Sequence, residues 1–133
     1  MSLESPLVMI VEDTLDAATL MQISLRRAGI QDILHAENGR SALDFLEMYT
    51  PDVLILDIGM PDMNGWTVLE FIKQRHGDTS FPVIMLTAFD DPANKLIGKL
   101  QSRVYRYLTK PFLPDVLIQT VRDAIELRQS RLA

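Results

Sequence analysis

The sequence predicts an α/β fold in which five βα units build one parallel sheet covered by helices on both faces. Three observations carry this reading. Short apolar runs alternate with longer amphipathic segments from one end of the chain to the other. Most of the runs are β-branched and aliphatic without polar interruption, the pattern of strands buried on both faces. Gly, Pro and Asn-Gly signals separate the segments, and no internal repeat, low-complexity tract or linker intervenes. Strands joined by helices in this way lie parallel, with right-handed crossovers.

Each element has its own signature. The run LVMIV (7–11) predicts the first strand. A helix over 14–28 follows, with Ala17, Met21, Leu25 and Ala28 at helical spacing, Arg26 and Arg27 in the last turn, and Gly29 as its stop. ILHA (33–36) is a short second strand. Asn38-Gly39 is a turn, and Asn38 or Ser41 can cap the helix that runs to Tyr49. Val53 to Leu56, bounded by Pro51-Asp52 and by Gly59, Pro61 and Asn64-Gly65, is the third strand. A helix over 65–76 turns Val68, Leu69 and Ile72 inward. PVIMLT (82–87) is the fourth strand, and a weaker helix spans about 91–102. VYRYLT (104–109) alternates more, as an edge strand does. A long helix over about 113–131 carries Leu117, Val121, Ala124 and Leu127 on one face.

Bulk properties narrow the function classes. The 133 residues suffice for one domain, expected over 7–131 behind a tail of residues 1–6 in which MSL reads as a cloning remnant. The absence of cysteine excludes a disulfide framework and a thiolate metal site. No apolar run reaches the roughly 20 residues of a membrane span, and the N-terminus lacks the features of a secretion signal, so a cytoplasmic location is expected. The net charge of −5 conceals an asymmetry: residues 1–94 hold fifteen acids and five Lys/Arg, residues 95–133 three acids and eight Lys/Arg. The acidic majority argues against direct nucleic-acid binding.

In parallel sheets of this kind the active crevice lies beyond the carboxyl ends of the strands. Four strand ends deliver Glu12-Asp13, Asp57, Thr87-Ala88 and Lys110-Pro111 to that rim. Three carboxylates in one place repel unless neutralised. A hard divalent cation with oxygen ligands does this better than a lysine alone, and Mg²⁺ with a phosphoryl group suits the set. A carboxylate can then act as the nucleophile and form an acyl phosphate, with metal and lysine stabilising the transferring group.

These residues resemble the receiver domains of two-component response regulators. IVEDT (10–14), LILDIGMPDMNG (54–65), MLTA (85–88) and YLTKPF (107–112) carry the resemblance, in order, over about residues 7–128. It implies a flavodoxin-like (βα)5 three-layer sandwich with strand order 2-1-3-4-5. It implies that Asp57 is the phosphoacceptor for a sensor histidine kinase or phosphotransfer protein. Asp13 and Asp57 would ligate Mg²⁺ directly, Glu12 through a water, and Gly59 through its main-chain carbonyl. Thr87 would bind the phosphoryl group and shift with Tyr107, the aromatic switch, while Lys110 pairs with the phosphoryl group before a cis Lys110-Pro111 bond. The phosphoryl charge would switch the surface of the fourth helix, fifth strand and fifth helix. Lys95, Lys99, Arg103 and Arg106 on that surface would serve a homodimer or an effector. The domain would be a signalling phosphoacceptor rather than an enzyme, catalysing its own phosphotransfer and slow autodephosphorylation at most.

The sequence also departs from the family's pattern. Bulky residues from Arg103 to Arg106 stand near a position where the family carries a small Gly-Ala pair, and the Thr87–Lys110 interval is about one residue longer than usual. A receiver-like module that binds partners without phosphorylation is therefore the main alternative. An aspartyl phosphohydrolase of the haloacid-dehalogenase kind needs a second Asp where Gly59 stands, and a flavin carrier needs a phosphate loop where Glu12-Asp13 would repel it. Singly, Asp57, Thr87 or Lys110 would read as a cap, a strand end or a turn. His35 and His76 are isolated and receive no catalytic role, Trp66 reads as partly exposed packing, and the seven Met residues read as core filling.

Overall fold

A computed structural model of the chain describes residues 5–76, 81–88 and 104–132. The strands are β1 (Val8–Val11), β2 (Ile33–Ala36), β3 (Val53–Asp57), β4 (Val83–Ala88) and β5 (Val104–Lys110). All neighbouring strands pair in parallel, in the order β2-β1-β3-β4-β5. The described helices are α1 (Leu15–Arg27), α2 (Gly39–Met48), α3 (Gly65–His76) and a C-terminal helix, Pro114–Leu132. The expected helix over 91–102, with Lys95, Lys99 and the neighbouring Phe89 and Arg103, lies outside the described residues.

Every residue of β1 and β3 is buried, which explains their unbroken apolar runs. Met9, Val11, Leu54, Leu56 and Met85 face α2 and α3, packing on Leu46, Val68, Leu69 and Ile72. Val8, Ile10, Val53, Ile55, Ile84 and Leu86 face α1 and the C-terminal helix, packing on Met21, Leu25, Leu117 and Val121. The two faces make two cores with the sheet between them. Burying one such aliphatic side chain contributes about 1.5–3 kcal/mol.

The helix ends follow local chemistry. The Asn38 side chain accepts the Ser41 N–H at 2.8 Å, so Asn38 rather than Ser41 caps α2. At the end of α1, Gly29 adopts φ +93°. Its N–H reaches the Arg26 carbonyl and the Ile30 N–H reaches Leu25, a Schellman closure sealed by the apolar pair Leu25 and Ile30. The inner face of α1 is Ala18, Met21, Ser24 and Leu25; Met21 and Leu25 lie inward at the expected spacing, whereas Ala17 and Ala28 are only half-buried. Ser24 can be buried because its hydroxyl donates to the Leu20 carbonyl at 2.8 Å.

Three strands run further than expected, β3 through Asp57. β4 includes Ala88 and β5 includes Lys110, because Thr87 pairs with Thr109 and Ala88 with Lys110. At the other end the register slips: Val83 lies opposite Val104 but Ile84 opposite Arg106. Tyr105 is thus the extra residue of a β-bulge. The bulge breaks the alternation, so Tyr105 packs on the α1 side of the sheet and Tyr107 on the α2/α3 side.

Candidate functional site

The carboxyl ends of β1, β3 and β5 bring Glu12, Asp13, Asp57 and Lys110 together, as the strand ends predict. One carboxylate oxygen from each of Glu12, Asp13 and Asp57 lies within 4.8 Å of the others. Glu12 is fully buried and Asp57 nearly so, whereas Asp13 is exposed. Lys110 Nζ donates to both Glu12 oxygens at 2.8 Å and to Asp57 Oδ2 at 3.0 Å. A cleft of about 210 Å³ opens over them, lined by Asp13, Thr14, Asp57, Gly59, Ala88 and Lys110. The Lys110-Pro111 bond is cis.

The electrostatics follow from burial and from the single ammonium. Burial pushes the Glu12 carboxyl up to about 7, against the lowering effect of its Lys110 hydrogen bond. Burial alone would lower the Lys110 ammonium, but its bonds to Glu12 and Asp57 hold it above the ordinary lysine value. Three acids against one lysine leave an excess of negative charge among oxygen donors. That donor set fits a hard divalent cation and lacks the His or Cys a softer metal would use.

The backbone around the acids is fixed. The Glu12 N–H donates to the Ala36 carbonyl, and the Glu12 carbonyl accepts from His35 Nε2 at 2.8 Å. His35, given no catalytic role from sequence, thus ties the edge strand to the residue carrying the deepest acid. After β3, the Gly59 N–H donates to Asp57 Oδ1 at 3.1 Å, and the Gly65 N–H donates to the Ile58 carbonyl at 2.8 Å. A Cβ on Gly65 would stand 2.6 Å from the Asp57 carbonyl oxygen, so only glycine allows α3 to start against the end of β3.

Thr87 is buried at the end of β4, but its hydroxyl hydrogen-bonds the Ala88 carbonyl at 3.3 Å rather than an acid. Tyr107 packs against the α2/α3 core, and its buried hydroxyl has no hydrogen-bond partner among the described residues. Burial raises its phenol above the ordinary value. Trp66 is half-buried against the same core. Arg106 is exposed, stacked 5.0 Å over the Tyr105 ring and 3.9 Å from Asp123. Sequence reasoning missed Asp62, whose carboxylate accepts the Gly39 and Arg40 N–H groups at 3.0 Å each. No local signal could have found it, because its partners lie more than twenty positions upstream.

A parallel sheet in this order, with acids and a lysine at its carboxyl rim, defines a flavodoxin-like α/β domain whose site is built for neutralising charge rather than for cradling a nucleotide phosphate. The chain belongs to the response regulator receiver domain family, whose profile matches residues 8–122. It is 36% identical over 126 residues to the alkaline phosphatase synthesis transcriptional regulatory protein PhoP of Bacillus subtilis, covering 95% of this chain and 50% of that protein. It is 36% identical over 125 residues to the DNA-binding transcriptional regulator NtrC of Escherichia coli, covering 94% of this chain and 26% of that protein. The chain therefore spans half or less of the length of these curated relatives. The solution structure of the BeF3-activated receiver domain of NtrC superposes with a TM-score of 0.79 at 35% identity, covering 96% of this chain and 99% of that one. The chain is thus a receiver domain of the two-component response-regulator type, a signalling domain rather than a conventional enzyme. Among the described residues no helix is long and apolar enough to cross a membrane.

Proposed function

We propose that Asp57 is the phosphoacceptor of this domain, taking a phosphoryl group from the phosphohistidine of a sensor histidine kinase or phosphotransfer protein. The observation that carries the reading is the placement of Asp57. Its carboxylate ends a fully buried strand and lies 3.0 Å from the Lys110 ammonium, with Glu12 and Asp13 within reach of a shared cation. A carboxylate held that rigidly keeps one geometry of attack.

In the reaction an Asp57 carboxylate oxygen attacks phosphorus, and the bond from phosphorus to the imidazole nitrogen breaks. The electron pair leaves with the imidazole. Lys110 stays within ion-pair distance of Asp57 and balances charge on the phosphoryl oxygens. Mg²⁺, held by Asp13, Asp57, the Gly59 carbonyl and, through water, Glu12, would supply further neutralisation of those oxygens. The Thr87 hydroxyl must leave the Ala88 carbonyl to reach the phosphoryl group. Tyr107 lies on the neighbouring strand opposite Met85, two residues before Thr87, and in this reading the two side chains form the switch. The output surface comprises β5 with Arg106 and the C-terminal helix; Lys95, Lys99 and Arg103, expected to join it, lie outside the described residues. It serves a homodimer or an effector in the cytoplasm, without direct contact to nucleic acid.

The test is intact mass after incubation with Mg²⁺ and acetyl phosphate. A single phosphoryl adduct is expected that requires Mg²⁺ and is absent in Asp57→Asn. If no adduct forms and neither Mg²⁺ nor beryllofluoride binds, the domain is a partner-binding module that works without phosphorylation.

A further inference from the structure

The loop from Ile58 to Asn64, which carries the Gly59 carbonyl, is anchored at three points. At its start Gly59 is bonded back to Asp57 Oδ1. At its end Asn64 Oδ1 caps α3 by accepting the Thr67 N–H at 3.1 Å. Between them Asp62 reaches across to a different helix. Its two oxygens take the Gly39 and Arg40 N–H groups, while Asn38 takes that of Ser41. These are donors of the first turn of α2 that have no partner within the helix. The helix dipole favours a carboxylate there. The fit extends to packing: a Cβ on Gly39 would collide with the Met63 side chain, so that side chain lies directly over the start of α2. The same backbone bonds hold the Asp62 carboxyl below its ordinary range although the residue is exposed.

We propose that Asp62 is a positioning residue: by clamping the 58–64 loop to the first turn of α2, it fixes the Gly59 carbonyl and the Asp57 carboxylate in the arrangement a divalent cation requires. This rests on the reading of the acidic rim as a Mg²⁺ site. Mg²⁺ tolerates little departure from octahedral geometry, so a loop free to shift by a fraction of an ångström binds it less well.

Mg²⁺ affinity measured by calorimetry on the wild type, Asp62→Ala and Asp62→Asn tests the proposal, beside deuterium uptake of the 58–64 segment in the metal-free proteins. Asp62→Ala is expected to weaken Mg²⁺ binding by about tenfold, as loss of a group supporting a metal ligand does. The weakening should persist between roughly 0.05 and 0.5 M salt, whereas a long-range charge effect is screened away. Asp62→Asn, which keeps one acceptor and removes the charge, should restore at least half of the loss on a logarithmic scale. Uptake should rise in the 58–64 segment of Asp62→Ala and stay unchanged over 81–88. Unchanged affinity in Asp62→Ala overturns the proposal, as does a loss that vanishes at high salt or one that Asn does not relieve. A wild type that binds no Mg²⁺ sinks the cation reading itself. Altered uptake in that case would leave Asp62 as a clamp on the loop with no role toward a cation.

Discussion

At the scale of single residues, one ammonium serves two carboxylates, and burial makes Glu12 hard to ionise. Glu12 lies fully buried beneath Asp57, with its carboxyl pushed up to about 7. Asp62 is the opposite case, an exposed carboxyl lowered from 3.8 by backbone donors. Because the folded state holds its proton less tightly than the unfolded chain, Asp62 contributes stability in full above pH 3.8 and loses it as pH falls through the lowered folded value. In the metal-free protein, Asp62→Asn should therefore flatten the acid limb of a plot of Tm against pH; a limb parallel to the wild type would contradict the assignment. The acids and Lys110 were legible in the sequence because each ends an apolar run. Asp62 and His35 were not, since a carboxylate or imidazole that binds a distant main chain leaves no trace in local pattern. The hydroxyl of Thr87, expected as a phosphoryl ligand, donates to the Ala88 carbonyl at 3.3 Å.

At the scale of elements, side chains from connecting segments hold the strand and helix ends. Asp52, just before β3, accepts the Leu7 N–H with Oδ2 at 2.8 Å and pairs with Arg128 of the C-terminal helix through Oδ1 at 3.3 Å. Both partners of the pair are largely shielded from solvent, so the contact is less screened than an exposed pair. Asp52→Ala leaves the Leu7 N–H without its carboxylate and should cost roughly 1–3 kcal/mol. Urea denaturation should show a lower midpoint with an unchanged slope. From sequence, Pro51-Asp52 read as a turn signal, which gave the location but not the partners. The existence and order of the described helices were readable from periodicity. The inner face of α1 was readable only in Met21 and Leu25, because buried Ser24 scores as polar until its bond to the Leu20 carbonyl is seen.

At the scale of the whole molecule, two cores on either side of one sheet hold five strand ends at a common level. The parallel sheet and the position of its rim followed from runs, turns and the absence of competing patterns. The β5 bulge did not, since a bulge is a property of pairing and β5 shows only irregular alternation. Removing Tyr105 should restore a regular β4–β5 ladder without moving Lys110 from its place opposite Ala88. The shortened protein should melt earlier, through loss of a half-buried ring, yet still form the phosphoryl adduct. Removing Thr109 from the same strand should abolish the adduct, because a one-residue slip turns every side chain beyond it to the other face. Intact mass and circular dichroism on the two deletions decide this; loss of the adduct in a folded Tyr105 deletion would show that the bulge itself matters to the chemistry.

The bulge gives the fifth strand slack. Val104 meets β4 in one frame and the last five residues in another, so a change of one residue in the connection before Val104 can be absorbed where the strand begins. The lysine that balances the acids is then insulated from the length of the segment leading to it. That segment could lengthen or shorten to suit a new partner while the chemistry at the opposite end of the strand stays in register.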